Sequence, residues 1–282
     1  MPDRLLVCTD LDRTLLPNGP ESESPLAREH FARLVADPRV TLAYVSGRHR
    51  ALVEQAIFNY CLPVPDFVVG DVGTTIYQVG EAQAWQRLTT WEDEFASDWA
   101  GRTHADLKTL LHDLSALQLQ EMSKQNVYKL SYYVPLESDR DALSAVIRHR
   151  FHEAGIHASQ IWSTDEPMGI GLLDILPEHA SKLHAVEALM RLNGFDCGNT
   201  VFCGDSGNDI EVLASPIPAV LVANGNPDVK ELARRLADEM GCGDQLYIAR
   251  GGFLGMNGNY SAGILEGIVH YHPAVTGWLQ ES

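Results

Sequence analysis

LLVCTDLDRTLL, residues 5 to 16, joins a short apolar run to two carboxylates spaced two residues apart. Leu5 to Cys8 has the continuous hydrophobicity of a strand buried on both faces of a parallel sheet. Asp10 and Asp12 follow, with Thr14 two residues further on. In extended backbone, side chains at i and i+2 share a face, so both carboxylates can point into a crevice at the strand's carboxyl end. Two negative charges held that close repel, which makes chemical sense if a cation neutralises them or one carries a proton. Asp-x-Asp-x-Thr also suits Asx turns and helix caps, so the spacing alone supports a catalytic pair and a plain turn about equally.

At 282 residues, the chain suits a core domain plus a second module of about a hundred residues. With 45% hydrophobic and 21% charged residues, it has the balance of a soluble globular protein. A net charge of -17 argues against a nucleic-acid or anionic-membrane partner, either of which needs a basic face. A small phosphorylated ligand stays compatible if positive charge is gathered locally. No stretch approaches the roughly 20 apolar residues needed to span a bilayer, and the apolar run before Asp10 is too short for a secretory signal. Cys8, Cys61, Cys197, Cys203 and Cys242 are odd in number and lack paired spacing, as expected of reduced thiols in a cytoplasmic protein.

Beyond the first motif, Pro17 to Pro25 reads as a loop, followed by a helix over Leu26 to Ala36 with Ser24 as its N-cap. VTLAYV, Val40 to Val45, is a second strand, ending in Ser46-Gly47-Arg48 and a helix through Ala51 to Tyr60. Ser46 offers a hydroxyl, Gly47 lets backbone approach a ligand, and the helix N-terminus favours an anion, although a simple N-cap explains the triplet too. Two short strands surround GDVG, where Asp71 and Gly73 read as turn residues.

Between Ala82 and Met168 the character changes: four of the five tryptophans lie there, and Leu107, Leu110, Leu111, Leu114 and Leu117 form a core-facing helical stripe. VYKLSYYV, residues 127 to 134, is strand-like, and a helix is expected over Asp141 to Ala154. Gly171 to Leu176, GLLDIL, then reads as a return of the parallel sheet, before a helix over Ala180 to Asn193. Lys182 sits in that helix's first turn, where the macrodipole disfavours a cation by a few tenths of a kcal/mol and so invites a nearby anion. Thr200 to Cys203 and GDSGND, residues 204 to 209, form a further strand-to-helix turn. Asp205 and Asp209, joined to the first pair, would make a carboxylate cluster suited to a hard divalent cation such as Mg²⁺.

In order and spacing, DLDRT, Ser46-Gly47-Arg48, Lys182 and GDSGND resemble the four motifs of the haloacid-dehalogenase-like phosphatases. A module between the second and third motifs looks like the cap of the sugar-phosphatase subfamily. More narrowly, GTTIY, YKLSYY, ILPEHASK and YSAGILEGIVHY (residues 260 to 271) resemble the sucrose-phosphate phosphatases. Arg13 departs from the pattern, standing where that family more often has Gly or another small polar residue.

The resemblance implies an α/β fold: a doubly wound, Rossmann-like, mostly parallel sheet with a smaller inserted α+β cap. The expected division is core over 1–81, cap over 82–168 and core again over 169–282. It implies Asp10 as nucleophile, Asp12 as general acid and base with a raised pKa, and Lys182 with Ser46, Gly47 and Arg48 around the phosphoryl group. Mg²⁺ would sit on Asp10, Asp205 and the Asp12 carbonyl, with Asp209 in support. Asn208 would contact phosphate or brace Lys182, and Thr14, beside the substrate site, would satisfy the loop. Gln125 and Lys129 are the cap residues expected to meet the sugar, while His49 reads as a surface residue.

The implied activity is an Mg²⁺-dependent sugar-phosphate phosphatase acting on a disaccharide phosphate such as sucrose 6-phosphate. Mannosylfructose phosphate or a hexose phosphate is the alternative substrate. A phosphosugar mutase and a silent sugar-phosphate-binding domain are the other readings, and intact Asp10, Asp12, Lys182 and Asp205 count against the silent one. No feature identifies a partner synthase.

Overall fold

In the computed structural model, residues 3–80, 84–165 and 168–278 are described. The first strand, β1 (Leu5–Thr9), is buried at every residue, as its unbroken apolar run requires. Helix α1 (Ala27–Val35), β2 (Val40–Val45), α2 (Arg50–Tyr60) and β3 (Phe67–Gly70) continue a parallel βαβ pattern. The chain then turns back through β4 (Thr75–Val79) and β5 (Trp85–Arg87), both antiparallel to their neighbours. Helix α1 is not capped by Ser24. Leu26 takes a left-handed conformation at its start, and the Ser24 hydroxyl accepts from the Asn257 amide at 2.9 Å instead.

After α3 (Thr89–Phe95) come α4 (His104–Leu110), β6 (Gln118–Leu119), β7 (Leu130–Val134), α5 (Arg140–Glu153), β8 (Ala158–Asp165) and β9 (Ile170–Pro177). The chain closes with α6 (Lys182–Asn193), β10 (Thr200–Gly204), α7 (Ile210–Leu213), β11 (Ala219–Leu221), α8 (Pro227–Glu239), β12 (Leu246–Ile248), α9 (Ser261–Tyr271) and α10 (Val275–Trp278). The main sheet has the order β12-β11-β10-β1-β2-β3-β4-β5, parallel from β12 to β3. Its two faces carry separate apolar clusters. One holds Phe31, Val53, Ile264 and Ile268, the other Trp91, Phe95, Leu189 and Val212. Each such buried aliphatic or aromatic side chain contributes roughly 1.5–3 kcal/mol relative to exposure.

A second, four-stranded antiparallel sheet, β6-β7-β9-β8, packs against α5 and α4 with Trp99, Leu107, Ile147 and Phe151 in its core. Two expectations about this module change. GLLDIL does not return to the parallel sheet: β9 lies between β7 and β8, antiparallel to both. The physical reason is Asp174, a charge that a strand buried on both faces would not hold, whereas β9 has one face toward a cleft. At the other end, β5 pairs with β4 and α3 buries Trp91 and Phe95 in the main core, so the module does not begin at Ala82. Ala82 itself lies outside the described residues, while Met168, the other expected boundary, is an exposed residue in the turn between β8 and β9, within the cap sheet. The leucine stripe is helical only to Leu110, with Leu111 and Leu114 buried or half-buried in the turns that follow.

Helix α9 explains the glycines of YSAGILEGIVHY. A Cβ on Gly263 would lie 2.2 Å from the Gly258 carbonyl oxygen, and one on Gly267 2.2 Å from the Val220 side chain. The missing side chains let α9 seat directly on β11. Among the described residues, no helix is long and apolar enough to cross a membrane.

Candidate active site

Register brings the motifs together before any side chain is considered. Thr9 at the end of β1 lies opposite Tyr44 of β2 and Cys203 of β10. Asp10, Ser46 and Asp205 therefore emerge side by side at the carboxyl ends of three adjacent strands. The Asp10 amide donates to the Cys203 carbonyl at 2.8 Å, and a Cβ on Gly47 would come within 3.9 Å of the Asn208 amide nitrogen.

Lys182 is the centre of the constellation. Ser181 caps α6, so Lys182 takes its first position, and the anions that offset the unfavourable dipole are Asp10 and Asp209. Its Nζ lies 3.2 Å from Asp10 Oδ2 and 2.7 Å from Asp209 Oδ1, and it donates to Asn208 Oδ1 at 3.2 Å. Burial pulls its pKa down, but the two carboxylates outweigh burial and raise it. Asn208 is thus the brace for Lys182. Asp209 is fully engaged, its second oxygen accepting the amides of Asp205 at 3.1 Å and Ser206 at 3.2 Å.

Oxygens of Asp10, Asp205 and Asp209 lie within 4.8 Å of one another, all three residues being buried. Burial, and then the Asp209 charge, push the Asp205 carboxyl up to about 7. Burial likewise holds Asp10 well above the usual carboxylate range, against the pull of Lys182. Three buried carboxylates around one ammonium, offering oxygen donors only, fit a hard divalent cation. Arg13 stands at the edge of this cluster, 3.8 Å from Asp205, with its backbone at a positive φ of 56°.

Three sequence expectations shift. Thr14 is fully buried and donates to Asp205 Oδ1 at 3.1 Å, so it orients a carboxylate and does not face a substrate. The Asp12 side chain lies apart from the carboxylate cluster. Arg48 grips it bidentately at 2.7 and 2.6 Å, and Asn18 donates to it at 2.7 Å. Burial works to raise the Asp12 pKa, yet the Arg48 fork prevails and holds it below the usual range, opposite to the sequence expectation. Gln125 serves the cap's own backbone, donating to the carbonyls of Gln120 and Ser131 and accepting from the Ser131 amide. It does not line the cleft.

A cleft of about 440 Å³ runs between the main sheet and the open face of the cap sheet. Asp12, Gly47, Arg48 and Asn208 form its floor, and Lys129 joins floor to roof. Lys129 Nζ lies 3.5 Å from the Gly47 carbonyl oxygen and 3.8 Å from Asp174. Ser46, wholly buried, accepts from the Arg48 amide at 3.2 Å. His49, taken as a surface residue, borders the cleft, as do Gln120, Lys124, Asp165 and Asp174. Of these last, Asp174 alone carried a signal in the sequence, as a charge interrupting an apolar strand. His179 instead pairs with Asp98 at 3.1 Å, and His184 with Ser181 at 3.0 Å.

The profile of the sucrose-6F-phosphate phosphohydrolase family matches residues 3–272. A Nitrosococcus oceani protein named "Putative HAD-like hydrolase" is 53% identical over 281 residues, covering 99% of this chain and 75% of its own length. Sucrose-phosphatase 1 of Nicotiana tabacum is 28% identical over 234 residues, covering 80% of this chain and 52% of its own length, so the chain spans about half of that plant relative. Among solved structures, the sucrose-phosphatase from Synechocystis, in complex with sucrose and phosphate, superposes with a TM-score of 0.77 at 25% identity. The superposition covers 95% of this chain and 98% of that one. With its four motifs converged on one buried carboxylate and lysine cluster, the chain belongs to the sucrose-6F-phosphate phosphohydrolase family of haloacid-dehalogenase-like hydrolases and is a phosphoric monoester hydrolase.

Proposed function

We propose that the chain hydrolyses a disaccharide phosphate of the sucrose 6-phosphate type, with Mg²⁺, through an aspartyl phosphate on Asp10. The observation that carries this reading is the pairing of a buried Asp10 with Lys182 beside the cleft floor formed by Gly47, Arg48 and Asn208. The family match and the likeness to a sucrose-phosphatase holding sucrose and phosphate support the substrate class.

An Asp10 oxygen forms a bond to phosphorus as the bond from phosphorus to the sugar oxygen breaks. That oxygen leaves with a proton from Asp12. Water then attacks phosphorus, Asp12 takes its proton, the bond to Asp10 breaks, and inorganic phosphate departs. Arg48 keeps Asp12 ionised, which is the form that accepts a proton. For Asp12 to donate one, Arg48 must release it, drawn off by the arriving phosphate, and the freed carboxylate must take up a proton from solvent or from the substrate's phosphate monoanion before the sugar oxygen leaves. Lys182 and the main chain after Ser46 hold the phosphoryl oxygens. Asp10, Asp205 and the Asp12 carbonyl would hold Mg²⁺, with Asp209 orienting the Asp205 turn. Bound there, the ion supplies positive charge for the phosphoryl oxygens.

Because the leaving sugar departs toward the cap, the residues on the cleft's cap side are the ones that choose it. Free phosphate released from a panel of hexose and disaccharide phosphates, with and without Mg²⁺, tests the reading. Sucrose 6-phosphate is expected to be preferred and the reaction to stop without the metal. A strong preference for a monosaccharide phosphate displaces the substrate, and isomer formed without free phosphate displaces hydrolysis.

A further inference from the structure

Asp71, Val72 and Gly73 take positive φ in succession, at 53°, 63° and 111°. A β-branched residue in the left-handed region is held there only where its surroundings demand it. Two residues would suffice to reverse the chain between β3 and β4, so the hairpin does not by itself require three such residues. What the turn touches supplies the reason. The Asp71 amide donates to the Arg48 carbonyl at 3.0 Å, and the Val72 amide to the Ser46 carbonyl at 3.1 Å, so the turn grips both ends of the second motif. On its other side a Cβ at Gly73 would lie 2.4 Å from the Ser181 carbonyl carbon, one residue before Lys182.

The cap holds the same turn from above. Asn126 Nδ2 donates to the Thr74 hydroxyl at 3.0 Å, and that hydroxyl donates on to the Asp71 carbonyl at 3.1 Å. The Asp71 carboxylate accepts from Thr75 at 3.3 Å, and the Asn126 amide and the Lys129 ammonium, both from the cap, lie close enough to favour its charged form. One left-handed turn thus joins the cap loop 126–129, the second motif and the start of the lysine helix.

We propose that Asp71 is a positioning residue: through its turn, docking of the cap sets the Ser46-Gly47-Arg48 loop against Lys182, so a substrate that engages the cap completes its own phosphate cradle. This rests on the phosphatase reading above. The test compares sucrose 6-phosphate, which reaches the cap, with p-nitrophenyl phosphate, which does not. It uses the full chain with Mg²⁺ and the variants Asn126→Ala, Asp71→Asn and their double. Each single variant is expected to lower kcat on the sugar phosphate about tenfold, the double no further, because both interrupt one connection. Asn126→Ala is expected to leave p-nitrophenyl phosphate turnover within about twofold of wild type.

A rise in KM alone would make these residues sugar contacts and overturn the proposal. So would additive losses, or equal losses on both substrates. Where Asp71→Asn does not fold, Thr75→Val, which removes one hydroxyl from the carboxylate, takes its place in the cycle. A wild-type chain that releases phosphate from neither compound fails the phosphatase reading, and the proposal with it. An active wild type with additive variants fails the proposal alone.

Discussion

Two lysines stand among carboxylates, Lys182 in the buried cluster and Lys129 in the cleft beside it, and they are built differently. Lys182 is 1% exposed and lies 2.7 and 3.2 Å from its two carboxylates, on the first turn of a helix packed into the main core. Lys129 reaches across from the cap with looser contacts, 3.8 Å to Asp174 and 3.5 Å to the Gly47 carbonyl. A buried ion pair at hydrogen-bond distance is fixed, and removing one partner strands charge in a low dielectric. Contacts near 3.5 Å and beyond leave room for the groups to move apart or admit a ligand oxygen. The contrast separates chemistry, which needs one geometry, from recognition, which needs adjustment.

The largest expected effect breaks the fixed side. Asp10→Asn should lower phosphate release by on the order of 10⁴-fold or more while leaving the circular dichroism spectrum unchanged, and retained turnover would remove the covalent mechanism. Lys182→Met should lower kcat by roughly 10²–10³-fold and stability by about 3–5 kcal/mol in thermal unfolding, because Asp10 and Asp209 lose their shared cation. A Lys182 variant as stable as wild type would erase the contrast. Mg²⁺ at a hundred times its Kd should stabilise the wild-type chain by about 2.7 kcal/mol in the same measurement, and no shift would count against the carboxylate cluster as its site.

On the adjustable side the effects shrink. Lys129→Met should raise KM for a sugar phosphate by up to about tenfold, with stability changed by about 1 kcal/mol, since Asp174 keeps its bond from Ser131. A large loss of stability would show that Lys129 is as fixed as Lys182. Smallest of all, Arg13→Gly should move stability by less than about 1 kcal/mol, because relief of the left-handed backbone offsets the lost 3.8 Å pairing with Asp205. Chemical denaturation of the variant against wild type would read that difference.

What was legible in the sequence follows the same division. Asp10, Ser46, Lys182 and Asp205 were readable because each sits at a strand end or helix start, where local backbone dictates which way a side chain points. The cap was readable as a change in composition but not at its edges. GLLDIL has the apolar run of a buried parallel strand, and β5, at three residues, is too short to leave a pattern. Gln125 was misread because an amide's partners are decided by tertiary contact, here the backbone of Gln120 and Ser131. The low Asp12 pKa depends on Arg48, 36 residues away, which no spacing within the first motif could reveal.

The cap strand β9 ends at Pro177, and the lysine helix starts at Lys182, so four residues separate the recognition module from the catalytic cation. The module leaves the main body after Phe95 and rejoins it at this short tether. The tether tolerates change as long as the helix keeps its register, because one residue inserted between Lys182 and the core-facing Ala185 would rotate Lys182 by about 100° around its helix and out of reach of both aspartates. Insertions and deletions among relatives should therefore crowd into the module and be absent from the first turn of that helix, Ser181 to Ala185.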